Sequence, residues 1–418
     1  MTDTRLAELE AAAETAWVFT LPLIELAGAR ARGHAATGAP MNVFSPMRNL
    51  ATAKARAVTT PNNDTLYSSA QLDLAAGPVW IEIPPSGSRY VSLALMDAYT
   101  NNFAVLGTRT LGPGGGRFRL VGPEHGAVGP ETIRSPTRHV WALARIFVDD
   151  ETDLEAARAV QAGFRLQGPD APVPPPPPRR SDDWADYFRG ADALMAANPP
   201  PATDLAVLRR IAPLGLGEGR FDPGAFTPAE AEAIAAGVAR ARQGVRGGQF
   251  GGGRVIAGWS YPDASLGDFG QAYGARAQVA VAGLAALPLS EATYLRAMGE
   301  SRGVFDGTRS WRLRFAPGGA PPVDAFWSLS LYEITPDGQF FFTDNPLGRY
   351  ALRSTSPGLT PLEDGSLEIL IGAADPGPER QGAWLPAPEG PFALFLRAYI
   401  PHPDLLNGRY LVPPVEAI

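Results

Sequence analysis

An amide–carboxylate cluster near the start of the chain is the first stretch whose residue types could do chemistry. Asn62, Asn63 and Asp64 come shortly before Tyr67. Asn and Asp favour turns because their side chains bond to nearby backbone. A carboxylate close to a phenol can also pass protons to and from a substrate. We therefore predict that Asp64 and Tyr67 are catalytic and that Asn62 and Asn63 bind substrate, with turn formation as the alternative.

A second polar cluster begins where the alternating run Arg89–Met96 ends. It contains Asp97, Asn101 and Asn102. If this cluster shares a cavity with the first, a buried carboxylate lies near an arginine, an arrangement that suits proton transfer or substrate binding. We predict that Arg89 and Asp97 are catalytic and that Asn101 and Asn102 bind substrate. A polar network that holds strands in register is an equally good interpretation.

Aromatic and arginine side chains form a third candidate set in the last quarter of the chain. Aromatic faces combined with arginine suit the binding of sugars or other small ligands. Aromatic residues that alternate along strands more often belong to a hydrophobic core, and this alternative stays open. The predicted substrate-binding residues of this set are Trp327, Tyr332, Arg349, Trp384 and Arg397.

Metal and nucleophile patterns are weak. The chain has no cysteine and four histidines, and no two histidines are spaced as a short metal-ligand pair. A calcium site built from Asp64, Asp97 and Asn101 is conceivable, but turn formation is the commoner role of such residues. No Gly-x-Ser-x-Gly elbow occurs, so a catalytic triad could only be assembled in space. We predict no metal site and no cofactor.

Composition limits the class of partner. A net charge of -7 argues against nucleic acid, which requires a basic surface. The start of the chain has neither a basic segment nor an apolar segment typical of a leader, and no apolar run is long enough to span a bilayer. We expect a cytoplasmic protein with a small-molecule ligand and no membrane partner, and a homo-oligomer is left open.

The hydrophobic period divides the 418 residues into four parts. Helical spacing at 1–56 changes to a period of two at 57–148, which predicts a first β domain. Residues 149–304 are mainly helical again and include a proline-rich linker at 169–181. Alternation returns at 305–418 and predicts a second β domain. Two segments echo each other, Ser92–Asp97 and Ser328–Glu333, which is consistent with two similar β domains.

Several longer motifs resemble known bacterial families. Four N-terminal motifs resemble domain of unknown function 1254: Pro61–Ser68, Gly77-Pro78, Arg89-Tyr90 and Thr100–Phe103. The C-terminal motifs resemble its usual partner, domain of unknown function 1214: Phe326–Tyr332, Asn345-Pro346, Arg349-Tyr350, Asp364–Leu367, Trp384–Pro388 and Arg397–Tyr399. The resemblance implies two barrel-like or jelly-roll-like β domains joined through helices, and relatives that are often exported. It implies no particular activity.

The sequence thus predicts an α+β protein with two antiparallel β-sandwich or jelly-roll-like domains, and with a helical layer between and around them. Its polar clusters are not required by a β scaffold. We therefore expect a cofactor-independent enzyme, a hydrolase or a lyase, that acts on a small organic molecule. The alternative is a non-catalytic protein that binds a carbohydrate or small metabolite through the aromatic set.

Overall fold

The structure is a computed structural model that describes residues 2–56, 59–126, 129–299 and 304–418. It contains helices and antiparallel sheets, so the predicted mixture of α and β structure is confirmed at this level. None of the sheets closes on itself within these residues. The domain boundary predicted at residue 57 falls outside the described residues.

Helices concentrate in the first and middle parts of the chain. The first helix buries Leu9, Ala13 and Ala16 on one face, and it continues through Pro22. The sixth begins with a capping box, in which Thr227 Oγ1 accepts from the Glu230 N–H. The helices are α1 Thr2–Thr37, α2 Thr108–Leu111, α3 Leu154–Gly163, α4 Trp184–Ala197, α5 Leu205–Ile211, α6 Pro228–Arg246, α7 Tyr273–Ala282 and α8 Pro403–Leu406.

The strands fall into two groups along the chain. The first group is β1 Ser45–Met47, β2 Thr65–Asp73, β3 Val79–Ile83, β4 Val91–Asp97, β5 Asn102–Gly107, β6 Gly116–Val121, β7 Thr132–Arg134, β8 His139–Phe147 and β9 Arg165–Gln167. The second group is β10 Arg254–Ile256, β11 Trp259–Tyr261, β12 Ala292–Ala297, β13 Phe305–Asp306, β14 Trp311–Phe315, β15 Trp327–Ile334, β16 Phe340–Phe341, β17 Ala351–Arg353, β18 Leu367–Gly372, β19 Trp384–Pro386, β20 Pro391–Tyr399 and β21 Val415–Ala417.

The first group forms the N-terminal unit, which contains two sheets. Sheet 1 has the order β1-β2-β8-β4-β5 and sheet 2 the order β7-β6-β3-β9. Alternate residues of β8, such as Ala142 and Ile146, join Leu120 of β6 in one hydrophobic cluster. This period-two pattern explains why the strands could be read from the sequence.

The second group forms the C-terminal unit on a similar plan. Sheet 3 has the order β10-β11-β12-β20-β15-β16, with β13 on β20 and β17 on β15, and sheet 4 has the order β19-β18-β14-β21. Leu329 and Leu396 of sheet 3 share a cluster with Ile369 of sheet 4. Strands β10, β11 and β12 pair into this unit although they precede residue 305, where sequence alone placed its start.

A helical layer surrounds α1, which contacts α4, α5, α6 and α7. A Cβ added to Gly237 of α6 would lie 2.2 Å from the Glu10 carbonyl oxygen, so glycine allows the two backbones to approach closely. The proline-rich linker lies against helices as well, because a Cβ on Gly190 of α4 would meet Pro178 at 2.3 Å.

Sheets 1 and 3 repeat one arrangement and face each other. In sheet 1 the register places Tyr67, Arg145 and Ser92 side by side on β2, β8 and β4. In sheet 3 it places Tyr294, Arg397 and Ser328 side by side on β12, β20 and β15. The two segments that echo each other in the sequence are therefore equivalent strands, β4 and β15.

Candidate functional site

The candidate site is the polar layer, which we define as the facing side chains of sheets 1 and 3. Each unit sends one segment across it. We call residues 59–64, before β2, the N arm, and residues 283–291, before β12, the C arm. The last residues of the two arms, Asp64 and Glu291, make equivalent backbone hydrogen bonds. The Val148 N–H donates to Asp64 O at 3.0 Å, and the Ile400 N–H donates to Glu291 O at 2.8 Å.

Asp64, at the end of the N arm, is completely buried against the other unit. Its Oδ2 accepts a hydrogen bond from Ser328 Oγ at 2.6 Å. Its Oδ1 lies 3.2 Å from Arg353 Nε, an ion-pair distance without the alignment of a hydrogen bond. The carboxylate is held by two side chains of the C-terminal unit, as a buried charge requires.

Glu291, at the end of the C arm, makes the matching contacts in the opposite direction. Its Oε1 accepts from the Tyr90 hydroxyl at 2.9 Å, and its Oε2 accepts from Arg109 Nε at 2.6 Å. The Tyr90 hydroxyl also lies 3.0 Å from Ser92 Oγ. Burial, followed by the charge of Glu291, raises the pKa of Tyr90 well above its ordinary value, so this phenol stays protonated.

Two further arginines lie in the polar layer, each 5% exposed. Arg397 donates to Ser330 Oγ at 2.8 Å and to the Thr60 carbonyl of the N arm at 3.2 Å. Arg145 donates to the Ala285 carbonyl of the C arm at 2.8 Å. Each arm therefore covers the arginine of the other unit. Among the described residues, neither arginine has a carboxylate within ion-pair distance.

Tyrosines complete the layer. The Arg145 guanidinium lies 5.4 Å from the centre of the Tyr67 ring, and Asn62 Nδ2 donates to the Tyr399 hydroxyl at 2.7 Å. Burial and then the Asp64 charge raise the pKa of Tyr399 well above its ordinary value. The Tyr399 phenol is therefore protonated at neutral pH and can donate a hydrogen bond.

Burial varies across the polar layer. Phe147 and Phe326 are buried with ring centres 3.9 Å apart, which closes the sheets at that point. Tyr67, Tyr294 and Phe395 are only half-buried although they belong to the facing rows. Solvent therefore reaches part of the layer, next to the buried arginines.

Six of the residues proposed from the sequence lie in or at the edge of this layer. Asn63 Oδ1 accepts from Arg353 Nη2 at 3.0 Å, and the Tyr332 hydroxyl donates to the Pro61 carbonyl at 2.7 Å. Asn62 positions Asp64 as well, because its Oδ1 accepts from the Asp64 backbone N–H at 2.6 Å. These residues link the N arm to sheet 3. The six are Asn62, Asn63, Asp64, Tyr67, Tyr332 and Arg397.

The second polar cluster lies elsewhere. The register sets Thr65 opposite Phe147 but Asp97 opposite Val140, so the two clusters are about 20 Å apart at roughly 3.3 Å per residue. Asp97 Oδ1 accepts the backbone N–H groups of Tyr99 and Asn101, each at 2.9 Å. The structure does not bring Asp64 and Asp97 into one cavity.

Burial dominates the electrostatics of Asp97. Burial raises its pKa to about 6, although the backbone N–H of Asn101 and the charge of Arg276 act in the other direction. Asn102 Nδ2 donates to the carbonyls of Gly267 and Ala286, at 2.8 and 3.0 Å. Asp97, Asn101 and Asn102 therefore join sheet 1 to the segments on either side of α7.

Four other proposed residues have structural partners outside the layer. Arg89 donates to both carboxylate oxygens of Asp153, with Nη2 at 2.6 Å from Oδ1. Arg349 Nη1 donates to the Gln381 and Trp384 carbonyls. Trp327 is buried in the cluster between sheets 3 and 4, and Trp384 Nε1 donates to the Gly372 carbonyl at 2.9 Å.

Sequence reasoning missed Arg145, Glu291 and Tyr294. A signal for the first was present, because an arginine followed two residues later by an aromatic ring occurs in both apolar strands, as Arg145 with Phe147 and as Arg397 with Tyr399. Glu291 carries no comparable local signal, since it ends a segment that resembles an ordinary loop.

Fold and layer together define a two-unit β protein in which a repeated sheet faces its counterpart across buried charges. Two family models match it: Protein of unknown function (DUF1254) at residues 41–168, and Protein of unknown function (DUF1214) at residues 291–403. The chain carries a DUF1254 domain followed by a DUF1214 domain, which confirms the resemblance seen in its motifs.

A solved structure shares this fold. The crystal structure of the VPA0106 protein of Vibrio parahaemolyticus is similar with a TM-score of 0.75 and 21% identity, over 98% of this chain and all of the other. A putative uncharacterized protein from Burkholderia cenocepacia has a TM-score of 0.47 and 12% identity, over 100% of this chain and 96% of the other. No curated protein matches the chain significantly.

The described residues have neither a membrane-spanning helix nor a cluster of metal ligands. No helix there has the length and apolar character needed to cross a membrane. No group of three or more His, Asp or Glu side chains gathers there as a metal site would need.

Proposed function

We propose that the protein is a cofactor-independent enzyme, a hydrolase or a lyase, that acts on a small organic molecule in the polar layer. One observation carries the proposal: two arginines without carboxylate partners among the described residues are buried beside tyrosines where the facing sheets are partly open to solvent. Buried charges of this kind are costly for folding and are typical of functional sites.

In this proposal Tyr67 is the proton donor or acceptor. Its half-buried ring is next to Arg145, and a phenol can both donate and accept a proton. Asp64 orients the surrounding groups through Ser328 and Arg353. Arg145 and Arg397 stabilise negative charge that develops on the substrate, an effect that is strong away from water. Asp97 and Arg89 are left with structural roles.

The proposed site also depends on how the four sheets are arranged. We propose that sheets 1 and 2 form one β-sandwich and sheets 3 and 4 another, with a jelly-roll-like path. The shared hydrophobic cluster within each unit supports the proposal. On this arrangement, the inner faces hold each unit together and the remaining faces of sheets 1 and 3 are available for a site.

The experiment is an activity screen with small esters, for hydrolysis, and small hydroxy acids, for elimination. Tyr67→Phe should lower kcat by roughly a hundredfold or more while KM changes little, as expected for loss of a proton-transferring group. Tyr410→Phe is the matched control, because its hydroxyl donates to the Gly319 carbonyl in the C-terminal unit. Full turnover by Tyr67→Phe would remove Tyr67 from the mechanism.

A non-catalytic binder is the alternative. It would stabilise the protein on ligand addition by mass action, with the ligand recovered unchanged. The aromatic set proposed for such a binder includes Trp327 and Trp384, whose buried positions leave no ring face for a ligand. The polar layer is therefore the better candidate for either activity.

A further inference from the structure

The two buried arginines of the polar layer are equivalent in register but not in their hydrogen bonds. Arg397 uses Nη1 for Ser330 and Nη2 for the N arm. Arg145 uses Nη2 for the C arm, while its buried Nη1 has no acceptor among the described residues. A buried charged donor without an acceptor is costly, so this difference needs an explanation.

A single substitution between the repeats explains the difference. Ser328 faces Arg397 on the neighbouring strand, and Ser330 follows two residues later on the same face. Ser92 faces Arg145 in the same way, but the residue two positions later is Ala94, whose side chain has no hydrogen-bond acceptor. Ser330 thus accepts from Arg397 Nη1 within the C-terminal unit, whereas the described residues offer no acceptor to Arg145 Nη1.

The balance of charges in the layer also indicates a missing partner for the arginines. The two carboxylates Asp64 and Glu291 already pair with Arg353 and Arg109. Within the described part of the chain, Arg145 and Arg397 have no carboxylate at ion-pair distance and remain as buried positive charges. An anionic ligand would offset the cost of burying them.

We propose that the ligand of the polar layer carries a carboxylate and that Arg145 Nη1 is the donor that binds it. This inference rests on the proposed function, whose substrate class it names. A planar carboxylate accepts well from a guanidinium, and the rings of Tyr67 and Tyr294 next to it suit an organic body. Phosphate is usually held by several donors, including backbone N–H groups, so one free Nη1 favours the carboxylate.

The test compares the binding of benzoate, benzamide and inorganic phosphate to the full chain by calorimetry. Benzoate should bind most tightly, because benzamide has the same ring without the charge. Ala94→Ser supplies the oxygen that Ser330 supplies in the other unit, and it should weaken benzoate binding by roughly tenfold to a hundredfold, the range for one hydrogen bond to a charged group. Thermal unfolding should stay the same or rise, because a buried donor becomes satisfied.

Ser330→Ala is the matched control in the C-terminal unit and should not weaken benzoate binding. The inference is overturned if benzoate does not bind, if benzamide or phosphate binds as tightly, or if Ala94→Ser leaves the affinity unchanged. Its failure is distinguishable from failure of the proposed function, because turnover that depends on Tyr67 could persist with uncharged esters.

Discussion

Buried charge governs this protein at the scale of single residues, and Asp97 is the simplest case. Its pKa is raised to about 6, mainly by burial, from an ordinary value of 3.8. Below pH 3.8 the carboxyl is protonated in both the folded and the unfolded chain. Between these values only the folded chain keeps the proton, so Asp97 lowers the free energy of unfolding as pH rises toward 6.

Asp97→Asn should remove this contribution. Between pH 4 and pH 7 the native protein should lose roughly 2–3 kcal/mol of unfolding free energy relative to the variant. Urea unfolding at both pH values measures it. Taking the difference matters, because His139, whose pKa burial lowers to about 4, contributes the opposite slope. An equal difference at both pH values would contradict the prediction.

Asp64 and Glu291 allow a comparison of equivalent buried acids. Arg353, the partner of Asp64, is 11% exposed, and Arg109, the partner of Glu291, is 32% exposed. A cation left unpaired costs more where water cannot reach it. Asp64→Asn should therefore lower the free energy of unfolding by about 3 kcal/mol or more, and Glu291→Gln by less, as measured by urea unfolding. A larger loss for Glu291→Gln would show that exposure is not the deciding factor.

Residue types alone indicated part of the candidate site. Asn62, Asp64 and Arg397 could be proposed from the sequence because their polar side chains differ from the apolar strands around them. Asp97 was grouped with Asp64 because the sequence cannot show that they lie at opposite ends of sheet 1. Arg145 was missed because the role of a single arginine in an apolar strand depends on the facing sheet, which the sequence does not show.

At the scale of elements, local pattern located most strands and several helix ends. The sequence Thr227–Glu230 is typical of a capping box and marks the start of α6, and period-two alternation is visible in the sequences of β4, β8, β15 and β20. Local pattern does not show that α7 ends at Ala282. The residues that follow it, 283–291, belong to the C arm, which is shaped by contacts with the other unit.

Close approach of α1 and α6 can be tested with two glycine substitutions. Gly237→Ala would place a methyl group 2.2 Å from the Glu10 carbonyl oxygen, and we expect a loss of about 1–3 kcal/mol in the free energy of unfolding. Gly33→Ala is the control, because a Cβ there meets nothing within 4 Å and alanine favours helix by about 0.5–1 kcal/mol. Denaturant unfolding measures both. Stabilisation by Gly237→Ala would contradict the close packing.

At the scale of the whole molecule, the polar layer joins the two units through both side chains and backbone. Tyr90 and Phe147 of one unit share a hydrophobic cluster with Phe326 and Tyr399 of the other. Sequence could suggest two similar β domains from one six-residue echo. It could not show that the repeats face each other, because that relation depends on contacts between distant parts of the chain.

This coupling predicts one cooperative thermal transition for the native chain. Calorimetric and van't Hoff enthalpies should agree, since neither unit can unfold without exposing the other unit's buried arginine. Asp64→Asn should weaken the coupling and broaden the transition or split it. Two separate transitions in the native protein would show that the units are independent.

The crossing of the arms has a consequence for refolding. Contacts made between two halves of one chain can equally be made between halves of two chains, because the partners are chemically the same. Chains refolded at high concentration should therefore give some interlocked dimers in which each N arm covers Arg397 of its neighbour. Dilution before refolding should favour the self-contained form, and once formed the two species should exchange only by unfolding.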